Sequence, residues 1–326
     1  MTTLKDVAKR AGCSVATASR ALGAGGPVSN AVKSRVRRAA AELGYRPEAL
    51  LRRRGGQRPL IGVLIPSITN PVFAASLSQI QNRMQVSGHA VVLAQSNYDP
   101  DQEADAIGAL LSERPTGLIL TLCNPEHRVL QSRHLPPTVL LSNRPSAAFP
   151  AAVTVDNIEA GRRITQYLID HGHRRILFVA GHFAASDRAL LRYEGYRMAL
   201  ENNAVPLLPA VQIPFIDSNQ QPDISVAVVE LKPTAIIASN DLLACGIIGA
   251  FRREGISVPQ DISVAGFDGI AMGELMTPPL TTIEMPNASM GAVAASLLLD
   301  IAEKGVAPRH LQLGFTLKSG GTVRSI

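Results

Sequence analysis

Seven side chains in this 326-residue chain are of kinds that grip a ligand rather than transform one: Asn70, Phe73, Arg144, Arg188, Arg192, Asn240 and Asp268. Amide, guanidinium and carboxylate groups hydrogen-bond a rim of hydroxyls, and an aromatic ring stacks on the face of such a molecule. The expected ligand class is therefore polyhydroxylated. Taken singly, each has a plainer role, since Asn and Asp at strand ends cap helices and Arg pairs on surfaces. Their shared placement is what joins them. Ser67, Asn70 and Phe73 follow the apolar run LIGVLI; Ser142, Asn143 and Arg144 follow TVLL; Asn240 and Asp241 follow TAIIAS; Asp268 ends SVAGFD. Ligands of open α/β sheets bind outside the carboxyl ends of strands, where these residues stand. Arg188 and Arg192 lie in the helical stretch after AGHFAASD.

A second group sits near the amino end. Leu4, Val7, Ala8 and Ala11 recur at helical spacing, and Gly12 stands where a helix stops and turns. Ser14 can cap a second helix with Val15, Ala18 and Leu22 on one face and Ala16, Thr17 and Arg20 on the other. Two short helices meeting at a glycine turn have the form of a helix-turn-helix, whose second helix enters the DNA major groove. Arg20 suits guanine or phosphate, Thr17 a phosphate or base, and small Ala16 a thymine methyl. Ser29 can cap a third helix with Val32, Val36, Ala39, Ala40 and Leu43 inward, Lys33, Arg35, Arg37 and Arg38 outward, and Gly44 at its end. Next comes YRPEALLRRRGGQRP, in which Pro47 can open a short helix, Arg52, Arg53 and Arg54 follow, and Gly55 and Gly56 close it. So basic a linker lacks a core and is expected to order when DNA neutralises it.

Charge points the same way. The first 58 residues hold 13 Lys or Arg against three Asp or Glu, whereas the other 268 hold 19 against 23. A basic head on a mildly acidic body calls for a polyanion at one end only, and nucleic acid is that polyanion.

The elements that must carry the seven ligand-gripping residues can be read from Leu60 onward. Short runs rich in Val, Ile and Leu (LIGVLI, HAVVLAQ, TGLILTL, TVLLSN, RILFVAG, TAIIASN, DISVAGFD) alternate with amphipathic helices such as Pro71 to Gly88 and Asn157 to Gly172. That alternation predicts an α/β body of doubly wound parallel sheets covered on both faces. The pattern restarts near Val153 to Asn157, which divides the body into two lobes. The expected organisation is a DNA-binding domain over 1–46, a hinge helix or linker over 47–58 and an effector-binding and dimerisation domain over 59–326, with a second lobe at about 156–280.

Several classes are disfavoured. No run approaches the roughly 20 apolar residues of a membrane span, and MTTLKDVAKRAG lacks the apolar core of a secretory signal. Cys13, Cys123 and Cys245 are widely separated, as reduced thiols of a cytoplasmic protein would be, and His171 and His173 in HGHRR fit a polar turn better than a metal site. No metal or cofactor is expected. Neither G-x-G-x-x-G after the first run, nor G-x-x-x-x-G-K-[ST], nor G-x-S-x-G occurs, so no enzyme class has an anchor and no catalytic residue is assigned. A solute-binding protein of a transport system would share this body; the basic head and the missing leader argue against it.

With these residues in view, the chain resembles the lactose-repressor (LacI/GalR) family of transcription regulators over essentially its full length. The motifs are LKDVAKRAGCSVATASRAL with VS and ELGYRP, IGVLIPSITNPVF, VDNIEAGR, HGHRRI, ASND, VPQDISVAGFD, PPLTTI and MG. The resemblance implies a helix-turn-helix, a hinge helix and a two-lobed body like periplasmic sugar-binding proteins. It also implies homodimers that repress carbohydrate genes from palindromic double-stranded operators, with a small effector in the cleft. Carried onto this chain, DNA contacts fall on Thr3, Ser14, Val15, Ala16, Thr17, Arg20 and Ser29, and effector contacts on Phe73, Arg192, Asn240 and Asp268. NPVFA, Arg144 and LGFTLKSGG are similar to the gluconate-type branch, for which a second guanidinium, Arg144 or Arg188, is the expected carboxylate clamp.

One departure concerns the hinge. Where the family presents a leucine seven positions after the proline of YxP, this chain has Arg54. An arginine favours a narrow, electronegative minor groove over the kink that an apolar wedge makes, so a less bent operator and a steeper salt dependence are expected. The chain shows no leucine heptads at its end, and a dimer is the expected assembly.

Overall fold

The computed structural model describes residues 3–22, 28–43, 59–123, 135–215 and 222–326. The sequence expectations for Gly44, the hinge at 47–58 and Arg54 lie outside the described residues. The chain divides into two compact units, Met1–Pro59 and Leu60–Ile326.

In the first unit, α1 (Leu4–Ala11), α2 (Val15–Leu22) and α3 (Asn30–Glu42) pack around Val7, Ala8, Ala11, Ala18, Ala21, Val36, Ala39 and Ala40. Six alanines and two valines make a thin core that lets helices approach closely. Gly12 ends α1 in the left-handed region at φ 62°. Ser14 Oγ accepts from Thr17 N at 3.1 Å to start α2, and Ser29 Oγ accepts from Val32 N at 3.4 Å to start α3. Val15, grouped by spacing with the inward Ala18, is instead 42% exposed, and Ala21 takes the buried position. Val15 is the first residue of its helix and projects beyond the three-helix contact.

The second unit holds two six-stranded sheets. The first comprises β1 (Leu60–Ile65), β2 (Ala90–Gln95), β3 (Gly117–Leu120), β4 (Thr138–Leu141), β5 (Ala152–Val155) and β11 (His310–Leu313), in the spatial order β11-β5-β4-β3-β1-β2. Every pairing in it is parallel, with Ile61 opposite Gly117 and Val63 opposite Ile119. The second comprises β6 (Ile176–Gly181), β7 (Val211–Ile213), β8 (Ala235–Ala238), β9 (Ser263–Asp268), β10 (Thr281–Glu284) and β12 (Thr316–Lys318), in the order β12-β10-β9-β8-β6-β7. Only β12 there is antiparallel.

Helices α4 (Pro71–Val86), α5 (Pro100–Ser112) and α11 (Asn287–Lys304) serve the first sheet. Helices α6 (Asn157–Asp170), α7 (Asp187–Asn202), α8 (Ser225–Leu231), α9 (Asp241–Arg253) and α10 (Ala271–Glu274) accompany the second. Phe73, Leu77, Ile80 and Met84 put one stripe of α4 into the core at helical spacing. The chain passes between the lobes three times, after β5, after β10 and between β11 and β12. The first lobe thus recovers α11 and β11 from the far end of the sequence. No helix among the described residues is long and apolar enough to cross a membrane.

His173, expected in a polar turn between α6 and β6, is fully buried. Its Nδ1 lies 2.9 Å from Thr234 Oγ1, and its Nε2 lies 3.1 Å from the Arg324 carbonyl, fastening the final segment to the second lobe. Burial is the main cause that pushes its pKa below the usual 6.5. A histidine depressed on folding contributes stability that is complete above its unfolded pKa and lost as pH falls through the folded one. From pH 7 to pH 5 the melting temperature of the wild type should therefore fall further than that of His173→Gln, and parallel curves would refute this.

Candidate functional site

A cavity opens between the carboxyl ends of the two sheets. Six of the seven expected ligand residues line it: Asn70, Phe73, Arg188, Arg192, Asn240 and Asp268. Arg144 does not, and is exposed. It follows β4 as expected, but the turn at Ser142, with φ 72°, directs the chain so that Ser142 reaches the cavity instead.

Asn70, Asn240 and Ser186 are each fixed by a place at a helix start. Asn70 caps α4, with Oδ1 accepting from Val72 N at 3.1 Å and Nδ2 donating to Tyr98 Oη at 3.2 Å. Asn240 caps α9 through Leu243 N at 2.8 Å. The capping role and the ligand-facing role therefore coexist in the same side chains. Ser186 caps α7, which carries Arg188 and Arg192 one helical turn apart, so both reach the same face.

Arg192 is fully engaged. Nε donates to Asn157 Oδ1 at 2.9 Å, Nη1 to the Ser239 carbonyl at 2.6 Å and Nη2 to Asp268 Oδ1 at 3.0 Å, while the guanidinium sits 4.7 Å from the Phe267 ring centroid. Burial pushes the Asp268 carboxyl up and the Arg192 charge opposes it. Asp268 also has φ 110°, a strained conformation for a non-glycine residue, of the kind that collects at ligand sites. Beside it, Asp241 accepts from Thr282 Oγ1 at 2.7 Å and Ile270 N at 3.0 Å. Desolvation, reinforced by the Asp268 charge, pushes Asp241 up to about 8.

Arg188 differs. Nη1 donates to the Leu122 carbonyl at 3.0 Å and to Asp187 Oδ1 at 3.1 Å, and Asp187 in turn accepts from Asn143 Nδ2 at 3.0 Å. These bonds join α7 of the second lobe to the ends of β3 and β4 in the first. The other terminal nitrogen, Nη2, is buried with no hydrogen-bond partner among the described residues. A desolvated guanidinium donor left unmatched is costly unless a ligand acceptor meets it.

Ser142, at a strand end picked out in the sequence, lines the cavity; sequence reasoning missed several other lining residues, among them Tyr98, Asn157, Ser186, Phe215, Ser239, Met285 and Met290. Asn157 had a signal, standing directly after a strand in VDN; Tyr98 and Phe215 are isolated aromatics in polar segments and had none. Among the described residues no group of three or more His, Cys, Asp or Glu gathers as a metal site would.

In the first unit, Ser14, Val15, Ala16, Thr17 and Arg20 all lie at exposed or half-buried positions in and around α2, and Ser29 is exposed at the start of α3. Arg20 Nε donates to the Ala16 carbonyl at 3.2 Å. The Thr3 hydroxyl is engaged in a capping box, donating to Asp6 Oδ2 at 2.7 Å and accepting from Asp6 N at 3.4 Å. The Thr3 backbone N–H, which donates to Asp6 Oδ2 at 2.8 Å, and then the Thr3 hydroxyl lower the Asp6 pKa. Exposed Arg35 and Arg38 project from α3.

Comparison with known proteins agrees with both halves. The family described as "Bacterial regulatory proteins, lacI family" matches residues 3–48, and "Periplasmic binding protein-like domain" matches residues 165–323. The chain is 33% identical over 334 residues to the HTH-type transcriptional regulator GntR of Escherichia coli (strain K12), covering 98% of each. It is 32% identical over 331 residues to the ribose operon repressor of the same strain, covering 99% of this chain and 100% of that one. The lac repressor dimer crystallised with operator and the anti-inducer ONPF superposes with a TM-score of 0.73 at 26% identity, covering 99% of both chains. A DNA-reading head of three helices, followed by a two-lobed body with a polar cavity between its sheets and by relatives matched along their whole length, places this chain in the lacI family of bacterial regulatory proteins, the ligand-responsive transcriptional repressors.

Proposed function

We propose that this chain acts as a homodimeric operator-binding repressor of sugar-acid catabolism genes, whose effector is a small polyhydroxylated carboxylate held by Arg188. The unmatched, buried Nη2 of Arg188 carries this reading. Arg192 is already committed to Asp268 and Arg188 is paired through Nη1 with Asp187, so the guanidinium donor left open at the cavity is Arg188 Nη2. A ligand carboxylate makes a charge-assisted bond to that open donor, stronger than the bond a neutral sugar hydroxyl would make. Asn70, Asn240 and Asp268 would bond the hydroxyls, and Phe73 would cover a C–H face.

At the other end, Ser14, Val15, Ala16, Thr17 and Arg20 read base edges and phosphates, with Thr3 and Ser29 at the sugar-phosphate backbone. Effector binding favours one arrangement of the two lobes, and its differential affinity for the two arrangements changes operator affinity, a coupling of about 1–3 kcal/mol in regulators of this kind.

Thermal shift with D-gluconate, D-glucose and D-ribose tests the effector class. A ligand at about 100 times its Kd adds ~2.7 kcal/mol to the folded state. D-Gluconate should raise the melting temperature of the wild type, and Arg188→Leu should abolish that rise. A larger shift from either neutral sugar overturns the carboxylate assignment.

A further inference from the structure

Hydrogen bonding explains the polar rim of the cavity and leaves its aromatic wall unexplained. Tyr98 stands in the first lobe, in the turn between β2 and α5, and Phe215 follows β7 in the second. Their rings are parallel within 2°, with centroids 3.9 Å apart, and both line the cavity. The pair is a face-to-face contact made across the lobes.

Both rings are held in place by their surroundings. Asn97 and Tyr98 are consecutive non-glycine residues in the left-handed region, at φ 54° and 57°. This turn is locked by Asn97 N donating to the Pro66 carbonyl at 2.9 Å, by Asn97 Nδ2 donating to Gln102 Oε1 at 2.7 Å and by the contact of Gln95 with Asn97. Strained backbone that the surroundings over-determine marks a side chain whose direction matters. The Tyr98 hydroxyl is anchored by Asn70, and Phe73 lies 6.4 Å away, ring to ring. On the other side Phe215 rests on Gly181, where a Cβ would come within 2.6 Å of its ring. A side chain at 181 would have to push the ring out of this position.

We infer that the Tyr98–Phe215 stack is a size-limiting clasp. It ties the two lobes across one wall of the cavity, so a ligand short enough to lie beneath it binds with the rings in contact, and a longer one has to part them. Tyr98 and Phe215 are thereby specificity-determining residues, selecting compact sugar acids over their glycosides. The size selection rests on the cavity being the effector site, whereas the tie between lobes does not.

Phe215→Leu and Tyr98→Leu keep apolar bulk while removing the stack, and both are compared with wild type in the full chain. Hydrogen–deuterium exchange of the ligand-free protein reads the tie directly. Segments 96–100 and 181–187, one from each lobe, should exchange several-fold faster in both variants, and unchanged exchange in both segments overturns the clasp. Calorimetry then compares D-gluconate with lactobionate, the same acid carrying a galactose. Wild type should favour gluconate, and Phe215→Leu should narrow the ratio of the two Kd values about threefold to tenfold, the span that an aromatic pair supplies. An unchanged ratio with gluconate bound overturns the size selection. If neither protein binds gluconate, the sugar-acid reading fails and the exchange arm alone decides the clasp.

Discussion

Replacing Arg192 by methionine should lower the stability of the body by about 3–5 kcal/mol, read as a fall in the urea midpoint, because it strands a buried carboxylate. The Arg192–Asp268 pair lies at 3.0 Å with both side chains at most a tenth exposed. Methionine fills the volume but offers Asp268, Asn157 and Ser239 no donor. Asp268 then has to ionise unpaired in the interior or take up a proton. Its folded pKa, already raised by burial, would rise further without the guanidinium. A carboxylate with a raised folded pKa is unpenalised at low pH and loses stability as pH climbs through that value. The deficit of Arg192→Met should therefore shrink between pH 7 and pH 5. Adding Asp268→Asn should recover at least half of it at pH 7, since asparagine is neutral and tolerates positive φ. A deficit independent of pH, or a double variant no better than the single one, would show that the ion pair is not what holds this corner.

The same pair shows why only part of the site is legible in the sequence. Asn70, Asn240 and Asp268 can be found there because strand ends are read from where apolar runs stop, and a ligand cleft has to lie at those ends. Arg188 and Arg192 can be found because their spacing of four puts both on one face of a helix. Which guanidinium remains open is hidden, since it depends on Asn157, Ser239 and Asp268 converging on Arg192 from three separate segments. Arg144 follows a strand and so has the sequence signature of a cavity residue, but the left-handed turn at Ser142 is a backbone choice that its residue type does not announce. Tyr98 and Phe215 form a site only through a contact between residues 117 positions apart.

The fold divides along a similar line. Buried parallel strands such as Leu60–Ile65 and Ile176–Gly181 declare themselves as unbroken apolar runs, because both faces are covered. His310–Leu313 and Thr316–Lys318 are edge strands of four and three residues with mostly half-exposed side chains, so nothing in their composition marks them as strands. The return of α11 to the first lobe is hidden for a further reason. Its pairing with α4 joins segments more than 200 residues apart, and amphipathicity states that a face is buried, not against what.

The depth at which α7 sits decides whether its arginines reach the cavity, and two glycines set that depth. Gly161 on α6 and Gly195 on α7 face one another across the helix crossing. A Cβ at 161 would collide with the Arg192 carbonyl oxygen, and one at 195 with the Ile158 carbonyl oxygen. Backbone therefore touches backbone, and that closeness lets Asn157, on the first turn of α6, bond Arg192 Nε at 2.9 Å. Gly161→Ala forces the helices apart because the obstructing atoms are main chain and cannot rotate away. A cost of about 1–3 kcal/mol is expected from overpacking. Gluconate affinity should fall about tenfold or more, since a displacement near 1 Å breaks the alignment of a preorganised site. Intrinsic propensity pulls the other way, because glycine within a helix is worse than alanine by about 0.5–1 kcal/mol. Gly249 on α9 isolates that contribution, since a Cβ there meets only the end of Arg253 at 3.9 Å. Gly249→Ala should thus raise the melting temperature while Gly161→Ala lowers it. If both substitutions stabilise the protein, the helix crossing is looser than the structure shows, and the placement of Arg188 and Arg192 has to be attributed to the capping of α7 alone.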